Sequence, residues 1–400
     1  TALSRLPRCG GDRIVLRIPS AVRSQLEESA RAHGYEYRSG TGVPYWDETA
    51  YYRFTLKQIE HDIEAAAREI EAMCYALMDK ALADESIFRR MAIPEGHWDY
   101  IAESWRAGEK DLFGRMDFSY DGEAKPKLLE YNADTPTTLY ESSVFQWVWL
   151  EQAKAAGIVP GDCDQFAELH EDLVAAFATM GLEGLVHFSC LNEIEDDRET
   201  VVYLEECAAE AGLKTHFIAI KDIGVDARGR FTDLDDRVIS TLFKLYPWEW
   251  ILAEPFGTHL EASGVRFLEP PWKAALSNKG LLPPLWEMFA GHPNLLPAYF
   301  EDDPGAANLT GDYVRKPLYS RRGANIQIVK NETALPANDG TYGEEGFIVQ
   351  SFHPLPTFAG RHPVVGCWMV AGQPAGLSIR ESQTLITDDM ANFVPHVILD

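Results

Sequence analysis

The chain has 400 residues, 36 Lys and Arg against 62 Asp and Glu, and a formal net charge of −26. That length suits two or three packed units rather than one small domain, and 46% hydrophobic with 24% charged residues is a globular composition. The acidic balance lacks the basic footprint that nucleic acid or an anionic membrane requires, although it favours cations near the surface.

No apolar stretch reaches the length of a membrane span, and TALSRLPRCGGDRIVLRIP at the start lacks the apolar core of a secretory signal. Cys9, Cys74, Cys163, Cys190, Cys207 and Cys367 are scattered, with no C-x-x-C pair and no zinc spacing. They read as free thiols in a reducing cytoplasm.

Taken in chain order, residues 48–84 read as a helix. Ile59, Ile63, Ile70, Met73, Leu77 and Ala81 fall on one stripe, with Asp47 as the N-cap. The run GRMDFSYDGEAKPKLLEYNAD, 114–134, reads as two strands around a turn. Period-two alternation puts Arg115 and Asp117 on one face, Met116 and Phe118 on the other. In the second strand Glu130 and Asn132 point one way, Leu129 and Tyr131 the other. Asp121, Gly122 and Pro126 supply the turn. A pairing of these strands gathers one arginine and three oxygen ligands, a set that suits Mg²⁺ with nucleotide phosphates. A hairpin with one solvated polar face is the alternative.

Helices are expected over 139–157, 164–180 and 198–212, with strands at Leu185–Cys190, Thr215–Ile220 and Arg237–Phe243. This alternation indicates an α/β unit. The last third changes to strands at Asp312–Leu318, Asn325–Val329, Gly346–Phe352, Val364–Val370 and Ala375–Arg380, a largely antiparallel pattern. The Pro-rich stretch from Glu269 to Pro297 reads as a junction.

Between two of those strands, Ser320, Arg321, Arg322, Gly323 and Ala324 form a small-residue loop. Its N–H groups can approach phosphate while its cations add charge. It is not a P-loop, and a basic surface hairpin is the alternative. Lys279 and Arg380 are two further candidate cations, and Gln350 is of a type that can read an adenine edge. In LFKLYPWEW, 242–250, aromatics surround Lys244 and Glu249 as either pocket or core. Glu195, Asp196 and Asp197 could hold an amine or simply decorate a helix start. No G-x-S-x-G elbow, H-E-x-x-H or dinucleotide fingerprint occurs.

These blocks occur in one order. WDETAYY, RMDF…LEYNAD, FKLYPWEW, EPPWKAALSNKGLLPPLW, VRKPLYSRRGANI and IRES together resemble the glutathionylspermidine synthase family, meaning its synthetase domain. The resemblance implies an α+β / α/β fold of ATP-grasp type (glutathione synthetase-like). Its regions would be a helical part over 1–113, a metal-binding hairpin over 114–138 joined to the ATP-grasp sheet, a pre-ATP-grasp-like α/β unit over 139–268 and an ATP-grasp region over 269–400. The amidase domain of bifunctional members is expected to be absent.

The resemblance also implies an ATP- and Mg²⁺-dependent acid–amine ligase working through an acyl phosphate. Asp117, Glu130 and Asn132 match metal ligands, and Arg115 and Arg380 match reaction-centre arginines. Lys279, Lys316, Gly323, Ala324, Asn325 and Gln350 match the ATP site. Thr135, Thr137, Asp196 and Asp197 match substrate positions. Leu245 replaces an expected threonine, a departure at the position that would bear on glutathione recognition. The expected partners are a peptide-like carboxylate such as glutathione and an amine such as a polyamine, with no nucleic acid and no membrane. A small-molecule kinase of the same fold and a catalytically silent ATP-binding regulatory protein are the competing readings.

Overall fold

The computed structural model describes residues 15–35, 45–388 and 390–400. Cys9 lies outside them; the other five cysteines are buried and free.

The hairpin forms from Phe113–Ser119 and Lys127–Asn132, in antiparallel register with Arg115 opposite Asn132 and Asp117 opposite Glu130. Met116, Phe118 and Tyr131 sink into the largest core, as the alternation requires. A bulge between Asp117 and Phe118 shifts the register so that Leu128 faces Phe118. Leu128, rather than the expected Leu129, therefore completes the apolar face, and Leu129 is left beside the cavity described below.

Phe113–Ser119 also pairs with His362–Val370, which pairs with Gln373–Ser382. With Asn392–Phe393 at the edge this makes one five-stranded antiparallel sheet. A second five-stranded antiparallel sheet is ordered Ala298–Phe300, Phe347–Ser351, Tyr313–Pro317, Gln327–Lys330 and Thr333–Ala334. The late strands thus divide between two sheets. The middle third forms a four-stranded parallel sheet in the order Arg266–Leu268, Thr241–Leu245, Leu185–Cys190 and Lys214–Phe217. Helices Leu169–Thr179 and Glu195–Glu210 pack beside it, the arrangement that parallel strands demand.

The helix expected over 48–84 starts later. Ala50–Phe54, sequence AYYRF, is a strand held antiparallel to Leu16–Pro19 and parallel to His396–Ile398. Its aromatic residues favour a pleated, two-sided burial. Asp47 caps no helix; it accepts from the Thr49 backbone N–H at 2.9 Å and hydroxyl at 2.6 Å. The helix runs from Gln58, through wider turns to Glu64, and on to Ala83. Its stripe of Ile59, Ile63, Ile70, Met73, Leu77 and Ala81 is core packing, as expected.

The Pro-rich stretch is buried from Glu269 to Leu285 apart from Ser277. Lys273 is fully enclosed and binds Asp111 and Glu269, each at 3.0 Å. Glu269 accepts from the backbone N–H groups of Leu112 and Phe113. This buried cluster anchors the start of the hairpin's first strand from below.

Candidate active site

A cavity of about 530 Å³ lies where the two antiparallel sheets meet. Arg115, Asp117, Glu130, Asn132 and Arg380 reach it from the first sheet, and Lys316 and Gln350 from the second. Lys279 comes from a short helical turn whose preceding Asn278 accepts from the Gly280 N–H.

Asp117 sits in a cage of donors. Arg115 Nε donates to its Oδ1 at 2.7 Å, and Arg380 Nη2 to its Oδ2 at 2.5 Å. The Asn132 amide donates to the same Oδ2 at 3.1 Å. Arg115 also donates to the Thr137 carbonyl and, at 3.2 Å, to the Thr138 hydroxyl. It is 2% exposed and lies against the Trp368 ring. Neighbouring Glu381 points to the opposite face, where Arg17 and Tyr52 bind it, so the strand is fixed on both sides at Arg380.

Glu130 pairs with Lys279 at 3.0 Å. Burial works to raise its pKa, but Lys279, Lys316 and Arg380 outweigh burial and hold the carboxyl well below its usual range. Lys316 donates to Gln350 Oε1 at 2.7 Å and to the Leu129 carbonyl at 2.8 Å. Burial pulls this ammonium down to about 8, assisted by Lys279 and opposed by Glu130. Gln350 spends its amide internally, with Nε2 donating to the Leu128 carbonyl at 3.3 Å. The bulge in the hairpin is what brings the Leu128 and Leu129 carbonyls to these two side chains.

The loop after Lys316 closes one side. Ser320, Arg321, Arg322 and Gly323 line the cavity, whereas Ala324 and Asn325 stand behind it. The Asn325 side chain accepts from the Tyr342 backbone N–H at 3.0 Å. Gly323 has φ +72°, and a Cβ there would meet the Thr387 carbonyl at 2.7 Å, so glycine is required for the loop to seat.

Thr135, Thr137 and Asp196 line the cavity and Asp197 does not. Asp197 is buried beside them, and burial raises its carboxyl to about 6 against the pull of Arg321 and Arg322. Glu195–Glu210 is a helix, so these acids also stand at its N-terminus. In KLYPWEW the two charged residues separate. Lys244 is core, bound to Asp134 at 2.5 Å and resting on the Trp248 ring, while Glu249 is in the cavity wall. Sequence reasoning missed Tyr45 and Glu141, which also line it. Burial, with Glu199 and Asp196, raises Glu141 to about 8. Nothing in local sequence marks either residue; only the packing of distant segments exposes them to the cavity.

The family model described as "Glutathionylspermidine synthase preATP-grasp" matches residues 17–399. The chain belongs to this family. A Haemophilus influenzae protein provisionally named an acid–amine ligase is 38% identical over 90% of this chain and 93% of its own length. The bifunctional glutathionylspermidine synthetase/amidase of Escherichia coli is 27% identical over 88% of this chain. There the chain spans 60% of the relative's length, and it spans 50% of the trypanothione synthetase of Crithidia fasciculata. Among solved structures, a glutathione synthetase-like effector from Globodera pallida covers 93% of this chain and is itself 95% covered. Its TM-score is 0.57 at 12% identity, a likeness of fold. As a member of the glutathionylspermidine synthase family the chain is an enzyme of the ATP-dependent ligase class with an ATP-grasp-like, mixed α/β architecture. No helix among the described residues is long and apolar enough to cross a membrane.

Proposed function

We propose that this protein is an ATP- and Mg²⁺-dependent ligase, acting in the cytoplasm, that joins a small carboxylic acid to an amine through an acyl phosphate. The observation that carries the reading is the convergence of Lys279, Lys316, Arg115 and Arg380 with Asp117, Glu130 and Asn132 on one cavity. Phosphoryl transfer needs positioning and charge neutralisation rather than a covalent protein nucleophile, and this set supplies both.

Among the described residues no three His, Cys, Asp or Glu side chains cluster as a metal site. The groups present are two carboxylates and one amide, with the Asn132 amide in contact with both carboxylates. That set fits a hard cation that takes its remaining ligands from water and phosphate. Asp117, Glu130 and Asn132 would hold Mg²⁺, which supplies neutralisation of phosphate charge when bound.

In this reading Lys279 and Lys316 bind the nucleotide phosphates. Leu281, Leu296, Val314, Ile328 and Phe352, all in the cavity wall, offer an apolar slot for the base. Arg115 and Arg380 face the γ-phosphoryl group as a carboxylate oxygen attacks it and ADP leaves. The amine nitrogen then attacks the acyl carbon, the C–N bond forms, and phosphate departs. The loop Ser320–Gly323 excludes water from an intermediate that water would destroy. Thr135, Thr137 and Asp196 stand where the acid and amine would lie. Relatives named for glutathionylspermidine and trypanothione make glutathione and polyamines the first substrates to try.

The test is ADP release by the purified protein with Mg-ATP over carboxylates crossed with amines, with product mass determined. Amine-dependent turnover giving an amide supports the reading. A stable phosphorylated acid formed without amine would make the protein a kinase.

A further inference from the structure

Arg115, proposed to face the transferring phosphoryl group, is enclosed by residues that the reaction does not use. It lies directly opposite Trp368 where Phe113–Ser119 pairs with His362–Val370, and Asp117 lies opposite Gly366. Period-two alternation puts Gly366 and Trp368 on one face of their strand. The Arg115 stem crosses above Gly366, where a Cβ would meet Arg115 Cδ at 2.7 Å. Its guanidinium carbon then rests 5.5 Å from the centre of the Trp368 ring. A residue without a side chain, and a wide ring two positions on, make a trough for this one arginine.

The ring is itself fixed. Trp368 Nε1 donates to the Ser142 hydroxyl at 2.9 Å, and that hydroxyl donates to the Thr138 carbonyl at 2.6 Å. The Thr138 hydroxyl accepts from Arg115 Nη1 at 3.2 Å. The contacts close a circuit from Arg115 through Trp368, Ser142 and Thr138 back to Arg115, and all four residues are buried. Thr138 has φ +77°, a left-handed backbone that a β-branched residue rarely adopts. Strain of this kind persists where surrounding contacts over-determine it, and it clusters at functional sites. Here the Ser142 hydroxyl and backbone N–H both hold the Thr138 carbonyl.

The circuit also decides which donors of Arg115 remain. A guanidinium has five N–H groups. Nε and one N–H of Nη2 go to Asp117, and Nη1 serves the Thr137 carbonyl and the Thr138 hydroxyl. Among the described residues this leaves one Nη2 N–H for an incoming oxyanion. Asp117 alone would fix one edge of the guanidinium; the circuit fixes the other edge and the plane.

We infer that Trp368, Ser142 and Thr138 are positioning residues that hold the Arg115 guanidinium in one orientation, so that its charge is preorganised for the phosphoryl group. This role rests on the ligase reading above, whereas the contacts themselves do not.

The test follows Arg115 by NMR with isotope-labelled arginine, its Nε–H signal assigned by loss in Arg115→Lys. Ser142→Ala breaks both bonds of the hydroxyl, and Trp368→Phe removes the N–H while keeping a ring. In both, solvent exchange of the Arg115 Nε–H is expected to quicken by roughly ten-fold or more, with the Nε–H groups of Arg17 and Arg23 unchanged. Thr138→Ser keeps its hydroxyl and should exchange within a few-fold of the wild type. With substrates that turn over, Ser142→Ala should lower kcat by roughly ten-fold or more and leave the KM for ATP within a few-fold. Built on Arg115→Lys, it should lower kcat no further. Unchanged exchange in both variants, exchange that quickens equally at Arg17 and Arg23, or a kcat loss that repeats in full on Arg115→Lys overturns the circuit. Absence of turnover with every acid and amine counts against the ligase reading alone, and the exchange rates still decide the circuit.

Discussion

Asp117 and Glu130 stand opposite each other across the hairpin, yet each is held by different cations. Asp117 is bound by Arg115 and Arg380, and Glu130 by Lys279. One carboxylate binds the two arginines proposed for the reaction centre, and the other pairs with a lysine proposed for the nucleotide site.

Asp117→Asn removes the charge that holds both arginines. Ligase turnover is expected to fall by roughly 100-fold or more, with nucleotide affinity measured without Mg²⁺ reduced far less because Glu130, Lys279 and Lys316 remain. Steady-state ADP release and calorimetry on the same protein separate the two effects. A parallel loss of both would mean that Asp117 shapes the whole cavity.

Lys316 gives a pH signature. Burial lowers its ammonium to about 8, so the free protein loses this cation as pH rises past that value. Affinity for a non-hydrolysable ATP analogue should weaken between pH 7 and pH 9.5, as bound phosphate favours the protonated form. Lys316→Met should bind weakly at both pH values and show little of the change.

Glu71 tests the buried cluster beneath the hairpin. It is 2% exposed, and burial, with Asp111, raises it to about 7 from an ordinary 4.5 against the pull of Lys273 and the Tyr75 and Tyr131 hydroxyls. A carboxyl raised in the folded state costs stability once ionised. The cost is absent below about 4.5 and complete above about 7. Stability from this group therefore falls as pH rises through that window. Glu71→Gln should raise Tm at pH 8 and leave it nearly unchanged at pH 5, measured by thermal unfolding.

The Lys244–Asp134 pair is structural. Asp134 also accepts from the Trp248 backbone N–H at 2.8 Å, which ties the Asn-Ala-Asp turn to KLYPWEW. Lys244→Met leaves a buried aspartate without its cation and is expected to cost about 3–5 kcal/mol. Adding Asp134→Asn should recover part of it. Denaturant unfolding of the two variants checks this.

Much of this was legible in the sequence because it is local. Alternation alone placed Arg115, Asp117, Glu130 and Asn132 on one face, whereas Lys279, Lys316 and Arg380 were singled out by the family resemblance, since a lone cation carries no local mark of a site. What was hidden depends on distant pairing. The bulge that swaps Leu128 for Leu129 has no sequence mark, and it supplies the carbonyls that orient Lys316 and Gln350. Ala50–Phe54 was read as helix because the stripe beyond it is helical, whereas partners from residues 16–19 and 396–398 make it a strand. Arg321 was read with the phosphate loop, and its long reach to the Thr135 hydroxyl has no sequence mark.

The central claim is that the cavity joins an acid to an amine at the expense of ATP. The most direct measurement is ADP release with Mg-ATP over crossed acids and amines, with product mass and a Lys316→Ala control. The account predicts ADP formation that depends on both substrates, a product whose mass is their sum less water, and loss of both in the control. ATP binding without turnover across the panel, in protein shown to be folded, would contradict it.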